Sequence, residues 1–386
     1  MSPPAASPAP KTGLGVLFSV VIVDLIGFGI VMPILPFYAE AFGADGSWLG
    51  LVFAVYAAAQ FVCAPLWGRL SDRVGRRRVL LFTIAGTALA LAGLGFASSL
   101  AAVIGARALA GAFAANVSVA SAYIADVTPE QERTRWMGML GASFGIGFVL
   151  GPAIGGLLLP WGSEVPLLFA AGLAALNVGV AAVRLREPTR HALTTPGERM
   201  SVLAQPSVRR LCVANFAFSA AVTQLETLFA LFMLHRFGYG AREFAWLLVG
   251  MAVLMGGIQG GAMRRLADRF PERSMIIAGS SGLALAFAAL PFTASDLVLL
   301  APLALAAASR AIVQPSMLAL TSVAAATGAR GEVMGAFQSA ASIARVVAPL
   351  AGGFLYDWWF GAPFLLAAAL VLAVVGLARA LPERAG

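Results

Sequence analysis

Long apolar stretches of around twenty residues recur along the whole chain and are separated by short polar segments. A helix of that length crosses the hydrocarbon core of a bilayer and satisfies its own backbone hydrogen bonds, which lipid cannot do. The pattern therefore predicts an all-α membrane protein with twelve spanning helices, called spans 1 to 12 in chain order. The predicted bounds are 13–37, 47–67, 79–97, 100–124, 137–159, 165–184, 208–234, 243–263, 274–292, 295–322, 332–355 and 361–381.

The polar segments predict how the chain is divided. The segment between spans 6 and 7, Arg184 to Arg210, carries three prolines and six arginines and is typical of a linker. We predict an N-terminal leader at 1–12, a first six-helix bundle at 13–184, a cytoplasmic linker at 185–207 and a second six-helix bundle at 208–386.

Lysine and arginine residues are concentrated in alternate loops. The N-terminus, the C-terminus and the loops after even-numbered spans hold 21 of them, whereas the opposite loops hold only Arg236 and Arg242. Because cytoplasmic loops carry the excess of positive charge, both termini are expected in the cytoplasm.

The two halves of the chain repeat each other. Arg69 to Arg73, after span 2, recurs 196 residues later as Arg265 to Arg269 after span 8. Four residues of span 5 recur 197 residues later in span 11, namely Gly138, Pro152, Gly155 and Gly156 as Gly335, Pro349, Gly352 and Gly353. Two separate motifs that repeat after nearly the same number of residues predict two pseudo-symmetric six-helix bundles. In this architecture a substrate site forms between the repeats near the bilayer midplane.

Composition agrees with a membrane protein and argues against other classes. Hydrophobic residues make up 60% of the chain and charged residues 11%, compared with about a quarter charged in a soluble domain. The net charge of +8 does not indicate nucleic-acid binding, because almost every cation lies in a short loop. Cys63 and Cys212 are far apart in apolar segments, so we predict no disulfide and no metal site. Without a Walker loop, a nucleotide fingerprint or a nucleophile–base constellation, we expect no cofactor and no enzymatic activity.

Ionisable residues inside spans are costly in lipid and are therefore candidates for function. Away from the ends of the predicted spans there are five: Asp24, Arg107, Glu226, Arg310 and Arg345. Asp24 lies near the middle of span 1 and could carry a proton; alternatively it is a structural residue bonded to hydroxyls or paired with Arg107. On a helical wheel Asn116 lies almost opposite Arg107, so we expect Arg107 to face a cavity and Asn116 to form a packing hydrogen bond.

Polar residues on spans 7, 10 and 11 recur at helical spacing. In span 7, Asn215, Ser219, Val222 and Glu226 share one face, which makes Glu226 a second proton candidate. Two further faces consist of Arg310, Gln314 and Thr321 in span 10 and of Gln338, Ser342 and Arg345 in span 11. We expect one of these arginines to neutralise Glu226, in either a structural or a binding role.

Two glycine-containing motifs have fixed spacing. The first lies between spans 2 and 3 and comprises Gly68, Asp72, Arg73, Gly75, Arg76 and Arg77. The second lies in span 5 and comprises Gly138, Gly147, Gly151, Pro152, Gly155 and Gly156. The first favours a tight turn beside cytoplasmic arginines, and the second favours close helix packing with a bend at the proline.

These motifs resemble two signatures of the major facilitator superfamily. The first resembles its loop 2–3 signature, which implies a segment that latches the two domains in one state. The second resembles the motif of its antiporters, although ordinary Gly-rich membrane packing is the alternative. Arg107 with Gly111 resembles a span 4 motif associated with proton coupling.

Spans 1, 2 and 5 also resemble the tetracycline/proton antiporter branch. The resemblance rests on Asp24 to Pro36, on Tyr56, Gln60 and Pro65, and on Gly141 to Gly145. It implies roles for Asp24 and Asp72. Phe28 and Met32 lie near Asp24 and could shape an apolar pocket, with a lipid-facing or packed position as the alternative. Candidates for proton coupling are Asp24, Arg107 and Glu226. Candidates for the substrate cavity are Asp24, Phe28, Met32, Gln60, Arg107, Asn215, Ser219, Glu226, Arg310, Gln314, Gln338 and Arg345.

The resemblance implies a proton-driven exporter of small amphipathic compounds in the bacterial inner membrane, working by alternating access. We expect a monomer, because the duplicated chain supplies both halves. A proton-coupled importer or a sugar exporter of the same fold is the nearest alternative. A membrane receptor or scaffold is another, but it would leave five intramembrane charges unexplained.

Overall fold

The computed structural model describes residues 11–128, 130–188, 205–324 and 330–381, and this part of the chain is helical and contains no strand. It holds twelve segments long and apolar enough to cross a membrane, and each overlaps one predicted span. The predicted fold class is therefore confirmed. The leader before residue 11 and most of the predicted linker, 189–204, lie outside the described residues.

Ten spans consist of a single long helix, and spans 4 and 8 are interrupted. The helices are Lys11–Glu40, Gly46–Val74, Arg76–Gly95, Leu100–Phe113, Asn116–Val127, Glu130–Leu158, Glu164–Arg184, Pro206–Phe237, Ala241–Gly257, Met263–Arg269, Glu272–Ala289, Asp296–Ala324, Arg330–Trp358 and Ala362–Arg379. Span 4 consists of two helices, Leu100–Phe113 and Asn116–Val127. Span 8 consists of Ala241–Gly257 and Met263–Arg269, joined by a π-helical turn at Ile258–Ala262.

Span 2 extends further than its apolar residues predict. Its helix continues through Gly68 to Val74 instead of ending near residue 67. Arginines in the last turn are favourable, since they interact with the negative end of the helix dipole and reach water beyond the apolar core. The first glycine motif is therefore mostly helix, and only Gly75, with φ +113°, separates spans 2 and 3. A left-handed φ favours glycine at that turn.

The chain packs as two units. The first contains residues 1–32 and 58–195, and the second contains residues 33–57 and 196–386. The core of the first unit includes Leu17, Leu80, Ile84, Val119 and Ile124. The predicted domain bounds, 13–184 and 208–386, remain a prediction, because this packing groups residues 33–57 with the second unit.

The second unit has an aromatic core at one end of span 7. Phe232 packs on Phe364 with ring centroids 5.1 Å apart, and Phe229 packs on Phe244 at 5.8 Å. Asp357, at the end of span 11, accepts hydrogen bonds from the backbone amides of Gly46 and Ser47 at 2.8 and 2.9 Å. A carboxylate satisfies the unpaired amides at a helix start, which explains why the beginning of span 2 packs in this unit.

Candidate functional site: polar and charged residues within the spans

Asp24 is partly buried in span 1, where its carboxylate is bonded to an amide. Asn116 Nδ2 donates to Asp24 Oδ1 at 2.8 Å, and Thr83 Oγ1 donates to Asn116 Oδ1 at 2.5 Å. Asn116 and Thr83 are both buried. The amide therefore links span 3 to the acid of span 1 through one side chain.

Asn116 reaches Asp24 because span 4 is broken just before it. The first helix ends at Phe113 and the second begins at Asn116. Side chains of span 2 bond to carbonyls at the break: Trp67 Nε1 donates to Ala112 O at 2.6 Å, and Gln60 Nε2 donates to Ala114 O at 3.0 Å. Non-helical backbone at membrane depth requires such partners. Gln60, a predicted cavity residue, thus stabilises the break.

The break also changes the expected arrangement of span 4. The wheel that placed Asn116 opposite Arg107 assumes one continuous helix, and that assumption was wrong. Arg107 is almost fully buried, with 3% of its surface exposed, and no ion pair between described residues joins it to Asp24. Its cavity and proton-coupling roles remain predictions.

Two apolar residues follow Asp24 along span 1. Phe28 lies one turn further and meets Phe148 of span 5 edge-on, with centroids 6.2 Å apart. Met32 lies two turns further, and both side chains are partly buried. They remain candidates for an apolar wall.

Glu226 of span 7 forms an ion pair with Arg310 of span 10 at 2.6 Å. The expected neutralisation of Glu226 by an arginine is therefore confirmed. Each side chain keeps roughly a quarter of its surface exposed, 28% and 27% respectively. The pair is consequently not fully desolvated, which favours an interaction that can open.

The remaining polar residues of spans 7, 10 and 11 differ in exposure. Asn215 is buried and donates to Phe337 O at 2.7 Å, whereas Ser219 is partly exposed on the same face. Gln314, Gln338 and Arg345 are exposed. The predicted face of span 7 thus combines a packing residue with accessible ones.

Arg76 is the centre of the first glycine motif. Its buried guanidinium forms ion pairs with Asp72 at 2.5 Å and with Asp126 at 2.9 Å, and it donates to Ser71 Oγ at 2.6 Å. The two acids flank it from the ends of spans 2 and 4. Sequence reasoning found Asp72 and missed Asp126, which lies at the end of its span and looked like an ordinary loop acid.

A third acid, Glu187, completes this cluster. Its carboxylate accepts the backbone amides of Arg76 and Arg77, the latter at 3.2 Å, at the start of span 3. Arg77 also donates to the carbonyl of Ala182. Of the other motif residues, Arg73 is exposed and Gly68 is partly buried. Glu187 was assigned only to the linker, and no spacing in the sequence connects it with span 3.

The glycines of span 5 differ in what surrounds them. A methyl group at Gly147 would lie 2.6 Å from Leu25 Cβ, and one at Gly151 would lie 2.5 Å from the backbone of Gly29. Only glycine permits this approach of spans 1 and 5. Pro152, Gly155 and Gly156 are buried. Gly138, by contrast, is exposed with open space around it.

Twelve apolar spans that hold acids, arginines and a broken helix at mid-depth define a multi-pass membrane transport protein. Among the described residues, no group of three or more histidine, cysteine, aspartate or glutamate side chains could hold a metal ion. The family model described as Major Facilitator Superfamily matches residues 17–349 and, in a second match, 262–385. The chain belongs to the Major Facilitator Superfamily, and it is a transporter of that family.

Relatives confirm the resemblance to drug and tetracycline antiporters. The class E tetracycline resistance protein of Escherichia coli is 32% identical, over 93% of each chain. Multidrug resistance protein 2 of Bacillus subtilis (strain 168) is 26% identical, over 97% of this chain and 96% of its own.

Solved structures agree with the fold. The crystal structure of the human organic anion transporter MFSD10 (TETRAN) is 26% identical, with a TM-score of 0.71 over 96% of this chain and all of its own. A bacterial homologue of the human lysosomal transporter Spinster, in an inward-facing and occupied conformation, has a TM-score of 0.81 over 99% of this chain and all of its own. At 15% identity, that second likeness concerns the fold alone.

Proposed function

We propose that this transporter exports small amphipathic organic compounds across the bacterial inner membrane in exchange for protons, by alternating access. Both termini face the cytoplasm, in agreement with the distribution of arginines. One chain contains both repeats, so a monomer suffices. No cofactor or covalent step is required, because the proton gradient supplies the energy.

The observation that carries this proposal is the environment of Asp24. The acid lies near the middle of span 1, and its hydrogen-bond partner is the neutral amide of Asn116. Among the ion pairs of the described residues, none involves Asp24. A carboxylate without a fixed cation gains most from binding a proton, whereas one held by a guanidinium resists it.

The Asn116 bond is compatible with both protonation states. The amide donates to one carboxylate oxygen, and a protonated carboxyl keeps acceptor capacity on an oxygen while it donates from the other. Asp24 therefore binds and releases a proton without losing its orientation. This is what a coupling acid needs when the surrounding helices rearrange.

The names of the relatives support the direction of transport and the type of substrate. They are tetracycline and multidrug resistance proteins, and the human structure is an organic anion transporter. The close packing of spans 1 and 5 at Gly29 and Gly151 places the antiporter motif directly against the helix of Asp24. We propose that the Glu226–Arg310 pair opens and closes during the cycle.

Transport by purified protein in proteoliposomes tests the proposal. A panel of tetracycline, ethidium and naphthalene sulfonate is offered with a proton gradient imposed or collapsed. Wild-type protein is expected to accumulate at least one compound only with the gradient. In Asp24→Asn this accumulation is expected to be lower by about tenfold or more, while exchange of the same compound without a gradient persists.

An acid at the end of a span provides the matched control. Asp268 is exposed near the end of the last helix of span 8, Met263–Arg269, and Asp268→Asn removes the same charge away from the middle of a span. The proposal would be contradicted if accumulation did not depend on the proton gradient, or if it fell equally in Asp24→Asn and Asp268→Asn.

A further inference from the structure

Arg345 lies at the middle of its apolar span, where a charge is most costly in a membrane. Its span runs from Glu332 to Trp358, and residue 345 is the midpoint of that range. A guanidinium at the centre of a bilayer costs several kcal/mol unless it is paired or hydrated. Its presence there requires a partner or water.

The other intramembrane charges have protein partners or are buried. Arg310 is paired with Glu226 at 2.6 Å, and Arg107 is buried. Arg345 is exposed, and its contact is with Ser342 Oγ of its own helix at 3.4 Å. Among the ion pairs of the described residues, none involves Arg345, so its charge has no protein counter-ion there.

The position of Arg345 on its helix indicates that it faces water and not lipid. Span 11 has a row of exposed apolar side chains that includes Ile343 at 45%, Val347 at 47% and Phe354 at 71% exposure. Two residues along a helix are rotated by about 200°, so Arg345 points nearly opposite to Ile343 and Val347. Gln338 and Ser342 lie at helical spacing on the side of Arg345.

We propose that this face of span 11 binds an anionic group of the exported compound, a carboxylate, sulfonate or phosphate, with Arg345 as the counter-ion and Gln338 and Ser342 as hydrogen-bond partners. A guanidinium presents a planar fork of donors that fits such groups at two points. This inference rests on the proposed export function, because it names the class of compound exported.

The energetics of export favour the same class. A membrane potential that is negative inside drives an anion outward by about 2.3 kcal/mol per charge for each 100 mV. A substrate anion therefore leaves the cell with the electrical gradient. An arginine at the midplane lowers the cost of carrying that anion across the apolar core.

Equilibrium binding tests this inference independently of proton coupling. Purified protein in nanodiscs is titrated, without any gradient, with naphthalene sulfonate and with the neutral naphthalene sulfonamide. Wild-type protein is expected to bind the sulfonate about tenfold or more tightly than the sulfonamide, because bonds to a charged group are worth that much. Arg345→Gln is expected to erase the difference, and Arg345→Lys to retain part of it.

Arg264→Gln is the matched control, since Arg264 is exposed in the helix Met263–Arg269 at the end of span 8. It should leave both affinities unchanged. Thermal unfolding of each variant shows that it is folded. Equal wild-type affinity for the two probes, or a preference for sulfonate that survives in Arg345→Gln, would overturn the inference.

The two proposals fail in different ways. A sulfonate preference that depends on Arg345, together with transport that ignores the proton gradient, supports the binding site and contradicts antiport. Gradient-driven transport of the panel by a protein that shows no preference for the sulfonate supports antiport and contradicts the binding site.

Discussion

Asn116 and Asp24 show how one side chain fixes the chemistry of another. The amide of Asn116 donates to Asp24 at 2.8 Å and accepts from Thr83. Thr83 also donates to carbonyls of its own helix, so it has other partners when Asn116 is removed. The orientation of the Asp24 carboxylate depends on Asn116 more strongly than that of the Thr83 hydroxyl does.

We expect Asn116→Ala to lower the free energy of unfolding by about 1–3 kcal/mol, because it leaves a polar group without its partner. Gradient-driven transport should also fall, by roughly tenfold, since Asp24 loses its orientation. Thermal unfolding in detergent and transport in proteoliposomes measure the two effects.

Asn177 offers a matched control. It is also buried and donates to Val20 O of span 1 at 2.8 Å. Asn177→Ala should cost similar stability yet leave coupled transport largely intact. Equal transport losses in the two variants would show that Asn116 acts only through stability.

The Arg76 cluster gives a prediction about stability. Removing this arginine breaks its ion pairs with Asp72 and with Asp126, whose side chain is only 17% exposed. Arg76→Met should therefore destabilise the protein by about 3 kcal/mol, whereas Arg78→Ala, at an exposed neighbour, should change stability little. Adding Asp126→Leu to Arg76→Met should recover part of the loss, as a double-mutant cycle by thermal unfolding would measure. A double variant less stable than Arg76→Met would contradict this.

At the scale of single residues, the sequence predicted which groups matter better than it predicted their partners. Asp24, Glu226 and the intramembrane arginines stand out because a charge is rare among apolar residues. The pairing of Glu226 with an arginine could be predicted, because the spans hold only a few arginines that could neutralise this acid. The sequence predicted a packing hydrogen bond from Asn116 but not its partner Asp24, because that contact depends on a break in span 4 that no proline or other local signal marks.

The broken span is the element that organises the site. Gln60 and Trp67 on span 2 donate to carbonyls of Ala114 and Ala112. These bonds compensate for helical hydrogen bonds that the break removes in an apolar setting. Local preference for helix is thus overridden by side chains of a neighbouring span.

Close packing of spans 1 and 5 is the second feature at this scale. Gly151→Ala places a methyl group against the backbone of Gly29, where no flexible side chain can move away. We expect a loss of about 1–3 kcal/mol in stability from overpacking and a clear loss of transport. Gly145→Ala, on the same helix with open space around it, should be tolerated. Equal tolerance of both substitutions, measured by thermal unfolding and transport, would contradict the close contact.

Element ends were harder to predict than element number. Apolar length identified all twelve spans, because the bilayer sets that length. It placed the end of span 2 near residue 67, whereas the helix continues to Val74. Hydropathy detects where the apolar core ends, and a helix with arginines in its last turn continues into the polar layer.

At the scale of the whole molecule, duplication and loop charge account for the architecture. The offsets of 196 and 197 residues between matching motifs predicted two related halves. The grouping of residues 33–57 with the second unit could not be predicted from chain order, since it depends on contacts such as that of Asp357 with the start of span 2.

The orientation can be tested by labelling single cysteines in a variant that lacks Cys63 and Cys212. Ala294 is exposed between spans 9 and 10, and Asp268 is exposed near the end of the last helix of span 8. A membrane-impermeant maleimide should label Ala294→Cys in intact cells, but Asp268→Cys only after permeabilisation, because arginine-rich loops stay in the cytoplasm. The opposite pattern would reverse the assigned orientation.

Proton movement evoked by substrate is the most direct test of the central claim, that one transporter exchanges compound for protons. Proteoliposomes contain a trapped pH indicator, the membrane potential is clamped, and a compound that the protein carries is added outside without any pH gradient. Exchange predicts that the lumen becomes more alkaline as the compound enters, and that this change disappears in Asp24→Asn. Uptake without a pH change, or with acidification of the lumen, would contradict the account and indicate a facilitator or a symporter instead.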